Sequence, residues 1–249
     1  MSTYRDIALW GDEHIDLGEI AVAGLPPQAA IAISRGKYPK GYSYLDPNED
    51  AVLAATDGDN WLLAVVDGHD GFDAARAALN AVRINADATL AGSATGPESA
   101  LRDALRAAKE AVGDALVDVE GERSASATAV TLTSVTGSRL TTLTMGDTAA
   151  VLVSNGKARR IGKPTRFLDP NSDLVAAHLA TAEWKDGDRL VVASDGLFDF
   201  VGRSPTRVLA RLTAQHLNPS DLAKGAIESA FAGGAGDNIA VAALFGAGR

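Results

Sequence analysis

Residues 61–71 read WLLAVVDGHDG, an apolar run that ends in a cluster of acids, glycines and a histidine. The apolar part, Trp61–Val66, is too short for a helix of its own, so it predicts a buried strand. Asp67 follows at once and places a carboxylate at the end of that strand. A carboxylate at the edge of an apolar core is costly to desolvate, so its presence there needs a chemical reason.

Three further buried-type strands carry an acid near one end. Glu49 and Asp50 precede Ala51–Thr56, Asp195 follows Arg189–Ala193, and Asp237 precedes Ile239–Phe245. Acids that share a desolvated site repel each other, and a bound divalent cation relieves both costs. Oxygen ligands favour Mg²⁺ or Mn²⁺, and the chain has only 4 histidines for a zinc site. Any single one of these acids is equally consistent with an ordinary turn.

The remaining segments predict an α+β protein. Strands are expected at Ala29–Ser34, at Thr128–Val135, at Leu140–Met145, and in a hairpin that joins Val151–Ser154 to Lys157–Ile161 through Asn155-Gly156. Helices are expected over 72–86, from Pro97 to Leu116, at Pro205–His216 and at Pro219–Phe231. Strands that are apolar on both faces, together with paired helices, predict sheets covered by another sheet and by a helical layer.

Composition sets the broad class. With 249 residues, 46% of them hydrophobic, the chain can bury a sizeable core. No linker or repeat interrupts it, which predicts one domain over residues 1–249, with residues 1–28 as an N-terminal extension of open role. No segment approaches the roughly 20 apolar residues of a membrane span. Because Met1–His14 carries charges and lacks an apolar leader, we expect a cytoplasmic protein that does not bind membranes.

Charge and cysteine content exclude several kinds of chemistry. The chain has no cysteine, which excludes disulfides, thiolate metal sites and a cysteine nucleophile. Its net charge is −9, whereas electrostatic capture of nucleic acid requires a basic face. We therefore expect no nucleic-acid partner.

Short motifs follow one another between Asn48 and Phe245. They are Asn48-Glu49-Asp50, VDGHDG at 66–71, SATA at 126–129, MGDT at 145–148, ASDGLFD at 193–199 and GDNI at 236–239. In this order and spacing they resemble the motifs of the PPM, or type 2C, family of metal-dependent serine/threonine protein phosphatases. The resemblance implies a sandwich of two antiparallel sheets flanked by antiparallel helix pairs, a four-layer αββα fold.

The resemblance also implies a centre of two divalent cations, Mg²⁺ or Mn²⁺. Asp67 is expected to bridge both cations, with Glu49 and the Gly68 carbonyl on one of them. Asp195 and Asp237 are expected to hold the other. The implied substrate is a phosphorylated protein, which suggests a role in signalling.

Four more residues are expected around the two cations. Asp50 is expected to hydrogen-bond to water on a metal, and Asn238 to lie beside the ligands. Asp147 and Asp199 match positions that support a third, weaker cation. As alternatives, Asp147 is an ordinary turn residue and Asp199 a helix-start acid.

The implied reaction needs no protein nucleophile. Two metals activate a bridging hydroxide for attack on phosphorus. His69 lies two residues beyond Asp67, and an imidazole is suited to protonating the leaving alkoxide near neutral pH. A histidine in a turn is otherwise often simply solvated.

The chain departs from the family pattern in three places. Leu45 stands where members usually carry an arginine for the substrate phosphate, and the phosphate-binding residue is therefore unknown. Arg35, Lys37 and Lys40 are candidates to replace it. Ala149 stands where the Gly-Asp motif usually continues to arginine, and the short stretch 163–188 shows no flap segment of the usual kind.

Three functional hypotheses follow. The first is an active phosphoserine/phosphothreonine protein phosphatase. The second is a pseudo-phosphatase that serves as a regulatory or binding module, suggested by Leu45. The third is a phosphatase of small phosphomonoesters, suggested by the missing flap. The oligomeric state and the choice between Mg²⁺ and Mn²⁺ stay open.

Overall fold

The computed structural model describes residues 4–93, 96–117 and 119–247. Within them the chain forms two antiparallel six-stranded sheets. The first sheet runs, in spatial order, β1 (Arg5–Trp10), β4 (Ala51–Thr56), β5 (Asn60–His69), β6 (Ala127–Thr136), β7 (Arg139–Met145) and β10 (His178–Glu183). The second runs β2 (Ala21–Leu25), β3 (Ala29–Ser34), β12 (Ile239–Phe245), β11 (Arg189–Ala193), β8 (Ala149–Ser154) and β9 (Lys157–Ile161).

Helices cover the outer face of each sheet. The first sheet is covered by α1 (Asp73–Ile84), α2 (Ala86–Ser93) and α3 (Pro97–Val117). The second is covered by α4 (Asp195–Phe200), α5 (Pro205–Gln215) and α6 (Pro219–Ala232). The predicted four-layer αββα sandwich is thereby confirmed. None of the helices in the described ranges is long and apolar enough to cross a membrane.

The packing of the central strand β5 explains why its residues 61–66 are all apolar. Leu63 and Val65 point into the core between the two sheets. Leu62, Ala64 and Val66 point to the opposite face and pack in the core beneath the helices. A strand buried on both faces has no solvent-exposed position, so polar and apolar residues do not alternate along it.

Antiparallel pairing also explains where the acids gather. In the first sheet Ala51 pairs with Val66, so the start of β4 lies beside the end of the apolar run in β5. In the second sheet Ala193 pairs with Val241, so the end of β11 lies beside the start of β12. These two places carry the four acidic segments, and they lie at the same end of the sandwich.

Three strands, the short helix α4 and two element boundaries differ from the sequence prediction. Helix α4 was not among the expected helices, and β5 continues past Val66 to His69, so that Asp67 lies inside the strand. β1 and β2, from the N-terminal extension, pair with β4 and β3, and β10 pairs with β7. The helix predicted over 72–86 ends at Ile84, and a second helix begins at Ala86. The apolar stripe continues across this break, so periodicity alone does not reveal it. Residues 1–3, 94–95, 118 and 248–249 of the predicted single domain lie outside the described ranges.

Candidate metal centre and active site

The acids at the strand ends are buried and linked across the two sheets. Glu49 and Asp50 are 2% and 1% exposed, and Asp67 is 6% exposed. The Ser194 hydroxyl, at the end of β11, donates to Asp50 Oδ2 over 2.7 Å. The same hydroxyl oxygen accepts from the backbone N–H of Ala240 over 2.9 Å. Asp50 therefore connects the first sheet to two strands of the second.

Asn238 holds Glu49 in place. Its Oδ1 accepts from the Glu49 backbone N–H over 2.9 Å. Its Nδ2 donates to the carbonyl oxygens of Arg35 and Pro47 at 3.1 and 3.0 Å. Glu49 Oε1 in turn accepts from the Gly71 N–H at 2.9 Å. Asn238, which the sequence placed beside the ligands, thus fixes the backbone of one of them.

Glycine is required at two positions, each directly after an acid that is expected to bind metal, because another backbone segment lies too close to leave room for a Cβ. A Cβ on Gly68 would lie 2.6 Å from the Glu49 carbonyl oxygen, and the Gly68 N–H donates to that oxygen over 3.1 Å. A Cβ on Gly196 would lie 2.0 Å from the carbonyl oxygen of Asn238. The Asp-Gly pairs at 67–68 and 195–196 therefore let the acidic segments approach each other closely.

The aspartates raise one another's pKa. Burial, then the charges of Asp50, Asp195 and Asp147, raise the pKa of Asp67 well above its usual value. Burial, followed by repulsion from Asp147 and Asp237, raises the pKa of Asp195 to about 6. Burial raises the pKa of Asp50 to about 8, although the Ser194 hydrogen bond opposes the shift.

These residues fit a divalent cation. Asp67 Oδ2 is buried and has no hydrogen-bond partner. Buried carboxylates are normally paired, and several of them around an unsatisfied oxygen form the hard-oxygen environment that Mg²⁺ and Mn²⁺ prefer. The metal ions would relieve the repulsion among the aspartates.

His69 and Asp147 lie on one side of Asp67. One ligand atom of each of the three residues lies within 4.8 Å of the other two. His69 Nε2 is 3.8 Å from Asp67 Oδ1 and is buried without a hydrogen-bond partner. This arrangement allows His69 either to donate a proton near Asp67 or to join Asp147 as a metal ligand.

The side chain of Asp199 belongs to the same acidic group. It lies in α4, and burial, then Asp237 and Asp147, raise its pKa. Both candidates for a weaker third cation, Asp147 and Asp199, therefore lie within electrostatic reach of the central acids.

Among the three basic candidates named from the sequence, Lys40 reaches the acids. Its Nζ lies 2.9 Å from Glu49 Oε2 and 3.5 Å from Asp237 Oδ1, and its side chain is 5% exposed. Burial disfavours the charged ammonium, but the contact with Glu49 outweighs it, and the pKa of Lys40 is raised. Arg35 instead donates to the Ile15 carbonyl and the Tyr44 hydroxyl.

The surface around Leu45 contains a different cation. Leu45 and Arg123 both lie close to Gly71, with Leu45 36% exposed. The two arms of the Arg123 guanidinium are bound to Asp46 and Asp73 at 2.8 and 2.7 Å. Arg123 is therefore engaged in fixing neighbouring segments.

Two aromatic side chains at the site have no signal in the sequence pattern. The Tyr42 hydroxyl donates to both carboxylate oxygens of Asp237 at 3.0 Å. The ring of Phe167 packs on the His69 ring with centroids 4.2 Å apart. Both come from irregular segments, where no periodicity indicates which way a side chain points.

The segment after β9 is hydrogen-bonded to the first sheet and to the turn that follows β7. Backbone hydrogen bonds join Gly146 with Thr165 and Arg166, and Thr128 with Leu168. These bonds hold the backbone on both sides of Phe167, whose ring packs on His69.

The chain resembles one family of known proteins. A sequence profile described as protein phosphatase 2C matches residues 43–228. A search of curated protein sequences gave no match.

Solved structures share the fold. PstP/Ppp, a serine/threonine phosphatase of Mycobacterium tuberculosis, is 23% identical, with 91% of this chain and 99% of that chain covered and a TM-score of 0.68. The catalytic domain of PstP in complex with 2 manganese ions gives the same figures. MsPP, a PPM Ser-Thr phosphatase from Mycobacterium smegmatis in complex with cacodylate, is 21% identical, with 92% and 99% covered and a TM-score of 0.65.

Proposed function

The chain belongs to the protein phosphatase 2C family of metal-dependent serine/threonine phosphatases, and from this premise we propose how its site works. Glu49, Asp67, the Gly68 carbonyl, Asp195 and Asp237 hold two divalent cations, Mg²⁺ or Mn²⁺. The cations serve the hydrolysis of phosphoserine and phosphothreonine in a protein substrate. The observation that carries this proposal is the buried group of mutually repelling carboxylates around Asp67, whose Oδ2 has no partner.

When bound, the two cations lower the pKa of a water molecule and neutralise charge on the phosphoryl oxygens. Asp50 hydrogen-bonds to water beside the ligands, and the hydrogen bond from the Ser194 hydroxyl supports this role because it fixes the Asp50 carboxyl group. As water attacks phosphorus, the bond between phosphorus and the substrate oxygen breaks; one proton of the water stays on the product phosphate and the other passes to solvent. His69 donates its proton to the leaving alkoxide, and Phe167 packs on the imidazole ring to orient it.

The nature of the substrate is the finer part of the proposal. A phosphoprotein is the natural substrate of this family, whereas small phosphomonoesters remain the alternative because the segment 163–177 forms no flap. No observation favours a pseudo-phosphatase, since the acids stay together despite the repulsion that raises their pKa values. We take residues 1–249 as one phosphatase domain because β1 and β2 lie in its two sheets. The cysteine-free composition suits the proposed cytoplasmic location.

The test is a Mn²⁺ titration of the purified protein with three substrates: a phosphothreonine peptide, para-nitrophenyl phosphate and a sugar phosphate. We expect metal-dependent turnover that is highest on the peptide and absent with excess chelator. Preference for the sugar phosphate would support the alternative substrate class. Turnover that persists in chelator would contradict the metal centre.

A matched pair of variants distinguishes loss of turnover caused by a missing metal ligand from loss caused by general damage to the fold. Asp195→Asn removes a proposed metal ligand at one end of β11. Asp188→Asn removes a buried aspartate, 3% exposed, at the other end of the same strand. We expect the first variant to lose turnover by about a thousandfold and the second to retain it. Equal losses would show that the effect comes from the strand and not from the site.

A further inference from the structure

Lys40 occupies an unusual place in the molecule. Among the residues that the structure describes, it is the only lysine or arginine with a nitrogen within 4.0 Å of the carboxylates of Glu49, Asp67, Asp195 and Asp237. Lysine side chains are rarely buried without a paired acid. Here the pairing places a fixed positive charge inside the group of proposed metal ligands.

The charge balance of the proposed site calls for such a group. The four ligand acids carry four negative charges, which two divalent cations only neutralise. A phosphate monoester brings roughly two more negative charges near neutral pH. Asp147, close to Asp67, adds to the repulsion. A substrate phosphate therefore needs a further cation that belongs to the protein.

Resting on the function proposed above, we propose that Lys40 binds the phosphoryl group of the substrate. Glu49 and Asp237 would turn their oxygens to the metal ions when these are bound, and the Lys40 ammonium would then pair with phosphoryl oxygens instead. Lysine is a suitable phosphate ligand because its ammonium acts as a compact point charge with three donors.

The segment that carries Lys40 is anchored at the site. The backbone N–H groups of Lys37 and Tyr38 donate to the Ala235 carbonyl at 2.9 and 3.0 Å. The Lys40 ammonium lies 5.4 Å from the ring centre of Tyr42 and 5.6 Å from that of Tyr44. Contacts of this kind attract a cation to the ring face. They keep Lys40 at the site after its acids bind metal.

Two substitutions at Lys40 and one control test the proposal. Lys40→Met removes the charge and keeps an unbranched side chain that is one atom shorter, and Lys40→Arg keeps the charge. Lys37→Met is the control, because Lys37 lies in the same segment with its ammonium over Tyr38. For each protein we would measure Mn²⁺ affinity and inorganic phosphate affinity by calorimetry, KM and kcat on a phosphothreonine peptide, and the melting temperature.

We expect Lys40→Met to weaken phosphate binding and to raise KM by about tenfold, with a smaller change in kcat. Its Mn²⁺ affinity should equal or exceed that of the parent, because a competing cation is gone. Lys40→Arg should recover phosphate affinity to within about threefold, and Lys37→Met should match the parent within about twofold.

Two results would overturn the proposal. Unchanged phosphate affinity in Lys40→Met would mean that the ammonium only neutralises the acids. Lost Mn²⁺ binding in a folded Lys40→Met would mean that Lys40 builds the metal site. Calorimetry requires no turnover, so a parent protein that binds Mn²⁺ and phosphate but hydrolyses nothing would contradict the proposed function alone.

Discussion

The two sides of the site are built from different kinds of structure. On the proposed metal-binding side, the acids lie at or near the ends of β4, β5, β11 and β12, and strand pairing in the two sheets fixes their positions. On the proposed substrate-facing side, the side chains come from two segments outside the sheets, 35–45 and 163–177. The first side is dense in negative charge, whereas the second supplies Lys40 and aromatic rings.

Because the two sides are built differently, the residues proposed for metal binding and those proposed for substrate contact can change independently. Strand ends hold several charged groups at fixed positions, which a metal centre requires. Loops vary at little cost to the fold, and the groups that contact substrate can change while the metal centre stays the same. If Lys40 binds the phosphoryl group as proposed, Leu45 and Lys40 are an example of such a change, because a cation from elsewhere in the loop reaches the acids.

The largest expected effect is that of Asp67→Asn on the metal-binding side. We expect turnover to fall by more than about a thousandfold and Mn²⁺ affinity to fall with it. In the metal-free protein the melting temperature should stay equal or rise, because one buried like charge is removed. Leu63→Ala, in the same strand, is the contrasting variant: it should lose about 3 kcal/mol of stability while its folded fraction keeps full activity. A metal-free Asp67→Asn that melts well below the parent would contradict this contrast.

The same division explains how far the sequence could predict the structure. The apolar runs of β4, β5, β11 and β12 are buried on both faces and stand out clearly, so the acids beside them could be identified. The strands that the prediction missed, β1, β2 and β10, all lie at sheet edges. Edge strands are partly exposed, so their pattern is weak.

Loop residues were harder to predict than strand ends. The sequence named Lys40 together with Arg35 and Lys37 and had no means of choosing among them, because a loop has no period that defines which way a side chain points. Tyr42 and Phe167 gave no signal for the same reason.

The second prediction concerns His69, which lies between the two sides. His69→Gln should lower kcat on a phosphoserine peptide by about a hundredfold, because an alkoxide leaves poorly without a proton. On para-nitrophenyl phosphate the loss should be about threefold or less, since nitrophenolate leaves without general-acid help. Equal losses on both substrates, together with weaker Mn²⁺ binding, would mean instead that His69 joins Asp147 as a metal ligand.

The third prediction concerns the pH dependence of stability on the metal-binding side. The pKa of Asp50 is raised to about 8 and that of Asp195 to about 6, so the folded, metal-free protein favours their protonated forms. Their contribution to stability is present below about pH 4 and is lost as the pH rises through these values. We expect the melting temperature of the metal-free protein to fall by about 5 °C more between pH 5 and pH 8 than that of Asp50→Asn. If the melting temperatures of the two proteins changed identically with pH, the raised pKa of Asp50 would be contradicted. Saturating Mn²⁺ should reduce the difference in melting temperature between the two proteins.

The smallest effect is expected on the substrate-facing side, from Leu45→Arg. Leu45 borders a cavity of about 540 Å³ that is also lined by Tyr44, Asp70 and Glu122. In the parent protein a new guanidinium should improve phosphate affinity by only about threefold, because Lys40 already supplies a cation and the nearby acids compete for the new one.

The same substitution becomes informative in the Lys40→Met background. If Lys40 holds the phosphoryl group, that background lacks a cation, and Leu45→Arg should then improve phosphate affinity by about tenfold. Leu45→Gln should improve phosphate affinity in neither background, since it adds polarity without charge. Equal gains from Leu45→Arg in both backgrounds would mean that the two positions act independently. The guanidinium would then bind phosphate at a place that Lys40 does not share, and Lys40 would not be the residue that replaces the arginine missing at Leu45.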